Sequence, residues 1–142
     1  MPALHWICAL TLVLVCSLSA QPVKRSTAGQ KLLEKAITNF TTVIQNKCPN
    51  DTRLYSPTDI HKDCLSSALN CTIDELKVLG VECEVTQDKN FTIIKNGLMR
   101  QKWNITSNTT RDCRCELYKQ TDVEQFVNNM KSLVERLNAR TL

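Results

Sequence analysis

Apolar residues recur three and four positions apart in four stretches of the chain, the spacing that lines them along one side of a helix. The first stretch runs about Gln30–Asn46, with Leu32, Leu33, Ala36, Ile37, Phe40, Val43 and Ile44 as its apolar stripe. Cys48-Pro49-Asn50-Asp51 supplies the turn chemistry that ends it. A connection through Arg53-Leu54-Tyr55-Ser56-Pro57 leads to a second helix, roughly Asp59–Leu79, with Leu65, Ala68, Leu69, Ile73, Leu76 and Leu79 facing inward and Gly80 as its stop. The third covers about Thr86–Lys102 through Phe91, Ile93, Ile94, Leu98 and Met99. Phe91-Thr92-Ile93-Ile94 alone has strand character, but the whole segment fits a helix better. Trp103–Asp112 is a loop. The last helix is the clearest. Thr121-Asp122-Val123-Glu124 reads as a capping box, with Thr121 as N-cap and Glu124 reaching back. Val123, Phe126, Val127, Met130, Leu133, Val134 and Leu137 follow it. Burying each large apolar side chain contributes roughly 1.5–3 kcal/mol, so this helix is docked rather than free.

Four amphipathic helices with long first and third connections predict an all-α, up-up-down-down four-helix bundle, because long connections let consecutive helices run parallel. The scarcity of turn residues agrees: past position 20 there are Gly29, Gly80 and Gly97, and no proline follows Pro57. A β-sandwich of this length would spend many more.

The N-terminus changes the picture by setting the compartment. Residues 1–20 hold no Asp, Glu, Lys or Arg, Trp6–Val15 is apolar apart from Thr11, and Ser17-Leu18-Ser19 provides small residues for cleavage. This predicts a secretory signal peptide over 1–20 and one domain over 21–142, secreted to the extracellular space. Cys8 and Cys16 leave with the signal, and Lys24-Arg25 is read as part of a solvated tail. Six sequons agree with that route, at Asn39, Asn50, Asn70, Asn90, Asn104 and Asn108, all with Thr at the third position. No later stretch approaches the roughly 20 apolar residues of a membrane span, so no membrane insertion is expected.

Six cysteines remain: Cys48, Cys64, Cys71, Cys83, Cys113 and Cys115. On a helix Cys64 and Cys71 lie roughly 10 Å apart, too far for a disulfide's span of about 4.4–6.8 Å. Cys113 and Cys115 point to opposite sides of an extended segment. The natural solution is helix to loop, twice, within a set of three disulfides. Of the 15 pairings that six cysteines allow, most stay open on these grounds.

The chemistry that remains is not catalytic. Past the signal the one histidine is His61, with no nucleophile elbow, paired-histidine motif or phosphate-binding glycine loop. Cys-x-Cys lacks the ligand spacing of a structural zinc site, and a disulfide compartment disfavours one. No cofactor or metal is implied. The net charge of +4 is mild and scattered and offers no nucleic-acid surface.

Leu54-Tyr55-Ser56-Pro57-Thr58-Asp59-Ile60-His61-Lys62-Asp63-Cys64, continued by Cys71-Thr72-Ile73-Asp74-Glu75-Leu76-Lys77-Val78-Leu79, resembles the interleukin-15 family of cytokines. Cys113-Arg114-Cys115-Glu116-Leu117 and Val123-Glu124-Gln125-Phe126 resemble its C-terminal part. The likeness is specific over about residues 51–83 and 113–138. Cys48 and Cys83 depart from the four-cysteine mammalian pattern and mark a divergent interleukin-15 or interleukin-15-like member. The resemblance implies the short-chain cytokine bundle with Cys64–Cys113 and Cys71–Cys115 bridges, which leaves Cys48–Cys83. It implies signalling on lymphoid cells through an alpha-receptor sushi domain, an interleukin-2 receptor beta-like chain and the common gamma chain. The alpha-receptor positions are Glu75, Val78, Val81, Glu82, Phe91 and Ile93. The family's gamma-chain glutamine aligns with Glu135, and its acidic beta-chain position falls near Ala36 or Ile37. The competing reading is a secreted carrier or inhibitor on the same stapled scaffold, which would enclose a ligand-sized apolar cavity.

Overall fold

The computed structural model describes residues 28–101, 103, 105 and 109–141. The signal-peptide reading of 1–20, the Lys24-Arg25 pair, Asn104 and Asn108 lie outside the described residues. The four predicted helices are present as α1 (Ala28–Val43), α2 (Leu65–Glu82), α3 (Lys89–Arg100) and α4 (Val123–Thr141). Two residues each of β1 (Leu54–Tyr55) and β2 (Gln120–Thr121) pair antiparallel, Leu54 opposite Thr121 and Tyr55 opposite Gln120. Short 3₁₀ turns cover Lys62–Cys64 and Cys115–Leu117.

Contacts along the helices fix their directions. Leu33, early in α1, meets Gly97, late in α3, while Phe40 and Phe91 pair at the other ends with ring centroids 6.2 Å apart. α1 and α3 are therefore antiparallel. Gly80 near the end of α2 touches Phe91 at the start of α3, and Glu34 of α1 bonds Asn138 of α4. α2 is thus antiparallel to α3, and α4 to α1, which makes the bundle up-up-down-down. Its core is one cluster, including Leu33, Ile37 and Phe40 of α1, Leu65, Leu76 and Leu79 of α2, Phe91, Ile94 and Leu98 of α3, and Phe126, Val127, Met130, Val134 and Leu137 of α4.

The structure moves several boundaries. α2 begins at Leu65 rather than near Asp59, whose φ of 49° is left-handed and cannot continue a helix. Gly80 does not stop α2. It lies inside the helix, because a Cβ there would sit 2.5 Å from the Phe91 ring. The stop is a Schellman motif two residues past the helix: Glu84 is left-handed (φ 54°), its N–H donates to the Val81 carbonyl (3.2 Å), and the Val85 N–H donates to the Gly80 carbonyl (3.0 Å). α3 is helix throughout, capped by Asp88, whose Oδ1 accepts from the Phe91 N–H at 3.0 Å.

At the head of α4, Asp122 and not Thr121 is the cap. Asp122 Oδ1 accepts from the Gln125 N–H at 2.8 Å, and Thr121 is held in β2. Asn138 lies in the interior, where its Nδ2 donates to Glu34 Oε1 at 2.6 Å.

Three disulfides staple the bundle: Cys48–Cys83, Cys64–Cys113 and Cys71–Cys115. Each has one cysteine on α2 or at one of its ends. The first ties the turn after α1 to the end of α2. The other two tie the first half of α2 to the segment that feeds α4.

Candidate recognition face

α2 carries the surface of interest because its last two turns leave apolar side chains in water. Leu76 and Leu79 are fully buried, whereas Val78 is 45% and Val81 71% exposed. Monomer surfaces tolerate single exposed apolar residues, and two adjoining ones beside charge make this turn the candidate contact surface. The rim is charged: Glu82 is exposed next to Val81, Asp74 is exposed one turn before Val78, and Lys77 is exposed between them. Cys71, Glu75, Val78 and Glu82 fall at i, i+4, i+7 and i+11, one stripe of the helix. The stripe's first half is covered by the Cys115 turn through the disulfide. Its second half is open.

Glu75 stands at the boundary between the two. It is half-buried, and burial pushes its carboxyl above the usual carboxylate range, with the neighbouring Asp74 charge adding to the rise and the backbone N–H of Tyr55 opposing it. Glu75 therefore faces the β1 segment on one side and the open stripe on the other. The last turn is held on three sides. The Schellman bonds fix Val81 and Glu84, the Cys83 N–H donates to the Leu79 carbonyl at 2.9 Å, and Cys83 is bonded to Cys48. A turn fixed in this way has little conformational entropy left to lose.

The third helix corrects the expected site. Phe91 is 2% exposed, packed on Phe40 and against Gly80, so it is a core residue and not a surface contact. Ile93 is half-buried against the core and offers only an edge. On α4, Glu135 is exposed, between the buried Val134 and Leu137. Ala36 and Ile37 on α1 are buried at 2% and 0%, so neither stands at the surface as an acidic receptor contact would. Among the sequons, Asn39, Asn50 and Asn70 are exposed and Asn90 is half-buried.

Leu32 and Met99, expected in the buried stripes of their helices, are instead exposed (54% and 55%), as is Leu117 (57%). Leu32 and Met99 sit within apolar-periodic stretches, and only packing separates the stripe's edge from its centre. A groove of about 690 Å³ between the end of α1 and the start of α4 is open and lined largely by hydroxyls, amides and the Asp122 and Glu124 carboxylates, unlike an enclosed apolar cavity. Among the described residues there is no cluster of three or more His, Cys, Asp or Glu placed to hold a metal, and no helix long and apolar enough to cross a membrane.

A family model described as Interleukin 15 matches residues 11–138 of the chain. Interleukin-15 of Marmota monax is 28% identical over 90 residues, that of Chlorocebus aethiops 26% over 89, and that of Homo sapiens 24% over 89; each match covers 60% of this chain and 54% of the relative. The chain thus spans about half the length of the curated relatives it matches.

Proposed function

From the premise that the chain belongs to the interleukin 15 family, we propose that it is a secreted cytokine that acts by clustering receptors rather than by catalysis. Residues 1–20 serve as its signal peptide and 21–142 as its folded domain. A sushi-domain alpha receptor binds the end of α2 through Val78 and Val81, with Glu82 and Glu75 facing basic groups of the partner. The α4 face around Glu135 meets the common gamma chain, and a beta-like chain completes the signalling complex on lymphoid cells.

The observation that carries this reading is the exposed Val78–Val81 pair beside Glu82 on a helix that is otherwise well packed. Buried apolar contacts at the centre of an interface set the dissociation rate, while rim charges set association. Surface plasmon resonance against a sushi-domain ectodomain separates the two: Val78→Ala or Val81→Ala speeds dissociation, and Glu82→Lys slows association. Unchanged traces from variants with native circular dichroism would remove this face from the receptor map. Glu135→Lys should keep alpha-receptor capture and lose signalling in responsive cells.

A further inference from the structure

Beside the proposed receptor stripe, and sharing with it the rim residue Asp74, lies a second groove of about 530 Å³ between α2 and the end of α3. Its apolar lining includes Ile73, Met99 and Trp103, with Met99 55% exposed and Trp103 half-buried. Its polar lining includes Asp74, Lys77 and Asn70. Asn70 is the exposed acceptor of the sequon Asn70-Cys71-Thr72. An aromatic face, a thioether and a ring of hydrogen-bonding groups together suit a hexosamine. Its C–H face packs on an indole, its acetyl methyl takes an apolar site, and its hydroxyls reach polar side chains.

We propose that this groove seats the innermost N-acetylglucosamine of an N-glycan attached to Asn70. The attachment point is in the groove wall, so the sugar is delivered by its own covalent bond and needs no free affinity. In the transfer the Asn70 Nδ2 forms a bond to C1 of the sugar, the bond from C1 to the phosphate of a lipid-linked oligosaccharide pyrophosphate breaks, one amide proton is lost, and the lipid pyrophosphate leaves.

The folded structure also dictates when this occurs. Thr72 is 1% exposed, its Oγ1 donates to the Ala68 carbonyl at 2.8 Å, and Cys71 is bonded to Cys115. The sequon is closed to a transferase once α2 has formed. Cys115 lies 44 residues downstream of Cys71, so during synthesis the sequon is available before its disulfide partner exists. The seated sugar covers Met99 and Trp103 and stops short of Val81, which lies 11 positions and about 16 Å along α2 from Asn70. It thereby bounds the receptor face without blocking it.

The inference rests on passage through the secretory pathway, and the test keeps the two apart. The full chain is expressed in mammalian cells and its tryptic glycopeptides are mapped by mass spectrometry. Absence of the protein from the medium, with no glycan at any sequon, would sink the secretion reading. A secreted glycoprotein with Asn70 unmodified would sink only this inference. With 1–20 removed, Trp103 is the sole tryptophan, and its fluorescence reports the groove. Acrylamide quenching should stay low after an endoglycosidase trims the glycans to single N-acetylglucosamines, and rise with a red shift after full amidase deglycosylation. Asn70→Gln should reproduce the rise and Asn104→Gln should not. Quenching that follows Asn104→Gln instead, or neither variant, would overturn the assignment.

Discussion

α2 and α4 are similar in length and hold opposite kinds of anchor. α2 has disulfides at both ends and in its first half, through Cys64, Cys71 and Cys83. α4 contains no cysteine. It is held by an apolar stripe buried from Val123 to Leu137 and by polar ties to neighbouring segments. Arg136 Nη1 donates to the Ile60 carbonyl at 2.6 Å, Asn129 Nδ2 to Ser56 Oγ at 2.7 Å, and Asn138 to Glu34. The helix with covalent anchors is the one that leaves two valines in water, because it does not need their burial to stay docked. The helix without them buries nearly every large apolar residue it has.

Reduction of all three disulfides tests the first half of that comparison and carries the largest effect. Closing loops of 35, 49 and 44 residues is worth on the order of 4 kcal/mol each in the chain-entropy model, together comparable to the whole stability of a domain of this size. Far-ultraviolet circular dichroism at 37 °C should show loss of the helical signal on reduction. A reduced protein that kept its helices and melted cooperatively would show that packing alone secures α2.

Leu133→Ala tests the second half. Leu133 is 3% exposed in the α4 stripe, so truncation should cost about 2–5 kcal/mol and lower the amount secreted. Val81→Ala, equally apolar but 71% exposed, should stay within about 0.5 kcal/mol of the parent. Urea denaturation of the two variants measures the contrast. A comparable loss at both sites would mean that Val81 is not free.

How far the sequence carried the fold depends on the range of the interactions concerned. Periodicity located all four helices, since each buries one stripe. It misplaced the start of α2, because the connection through Ser56, Asp59 and Ile60 is set by partners elsewhere: the Ser56 N–H donates to the Lys119 carbonyl and the Ile60 carbonyl accepts from Arg136. The β1–β2 ribbon leaves no periodic trace in two-residue strands. Phe91 and Val81 look alike in a hydropathy pattern; one faces Phe40 and the other faces water. Gly80 reads as a stop in one dimension and as a close helix crossing in three.

The cap of α4 resolves two neighbouring readings with a moderate effect. Asp122→Ala should cost about 1 kcal/mol, the usual loss for an N-cap. Thr121→Ala should cost clearly less, since its Oγ1 donates only to the Asp122 carbonyl (3.0 Å) and makes no cap bond. Thermal melts of the pair suffice, and the reverse order would restore the Thr121 capping box.

The smallest effect lies at Glu75, where the stapled and open halves of the α2 stripe meet. Burial, then Asp74, raises its carboxyl above 4.5, against the Tyr55 N–H. A raised folded-state value means that the native protein favours the protonated form. The stability Glu75 contributes is fully present below its unfolded value and is lost as pH rises through the folded one. Glu75→Gln removes that loss while keeping an oxygen for the Tyr55 N–H. The variant should match the parent near pH 4 and exceed it slightly at pH 7, within about 0.5 kcal/mol. Asp74→Asn should narrow the gap by removing the like charge. Denaturation curves at several pH values decide it. A variant less stable than the parent at pH 7 would mean that the Glu75 carboxylate is held by an attraction stronger than its burial cost, and that it belongs with the anchors of α2 rather than with the open half of the stripe.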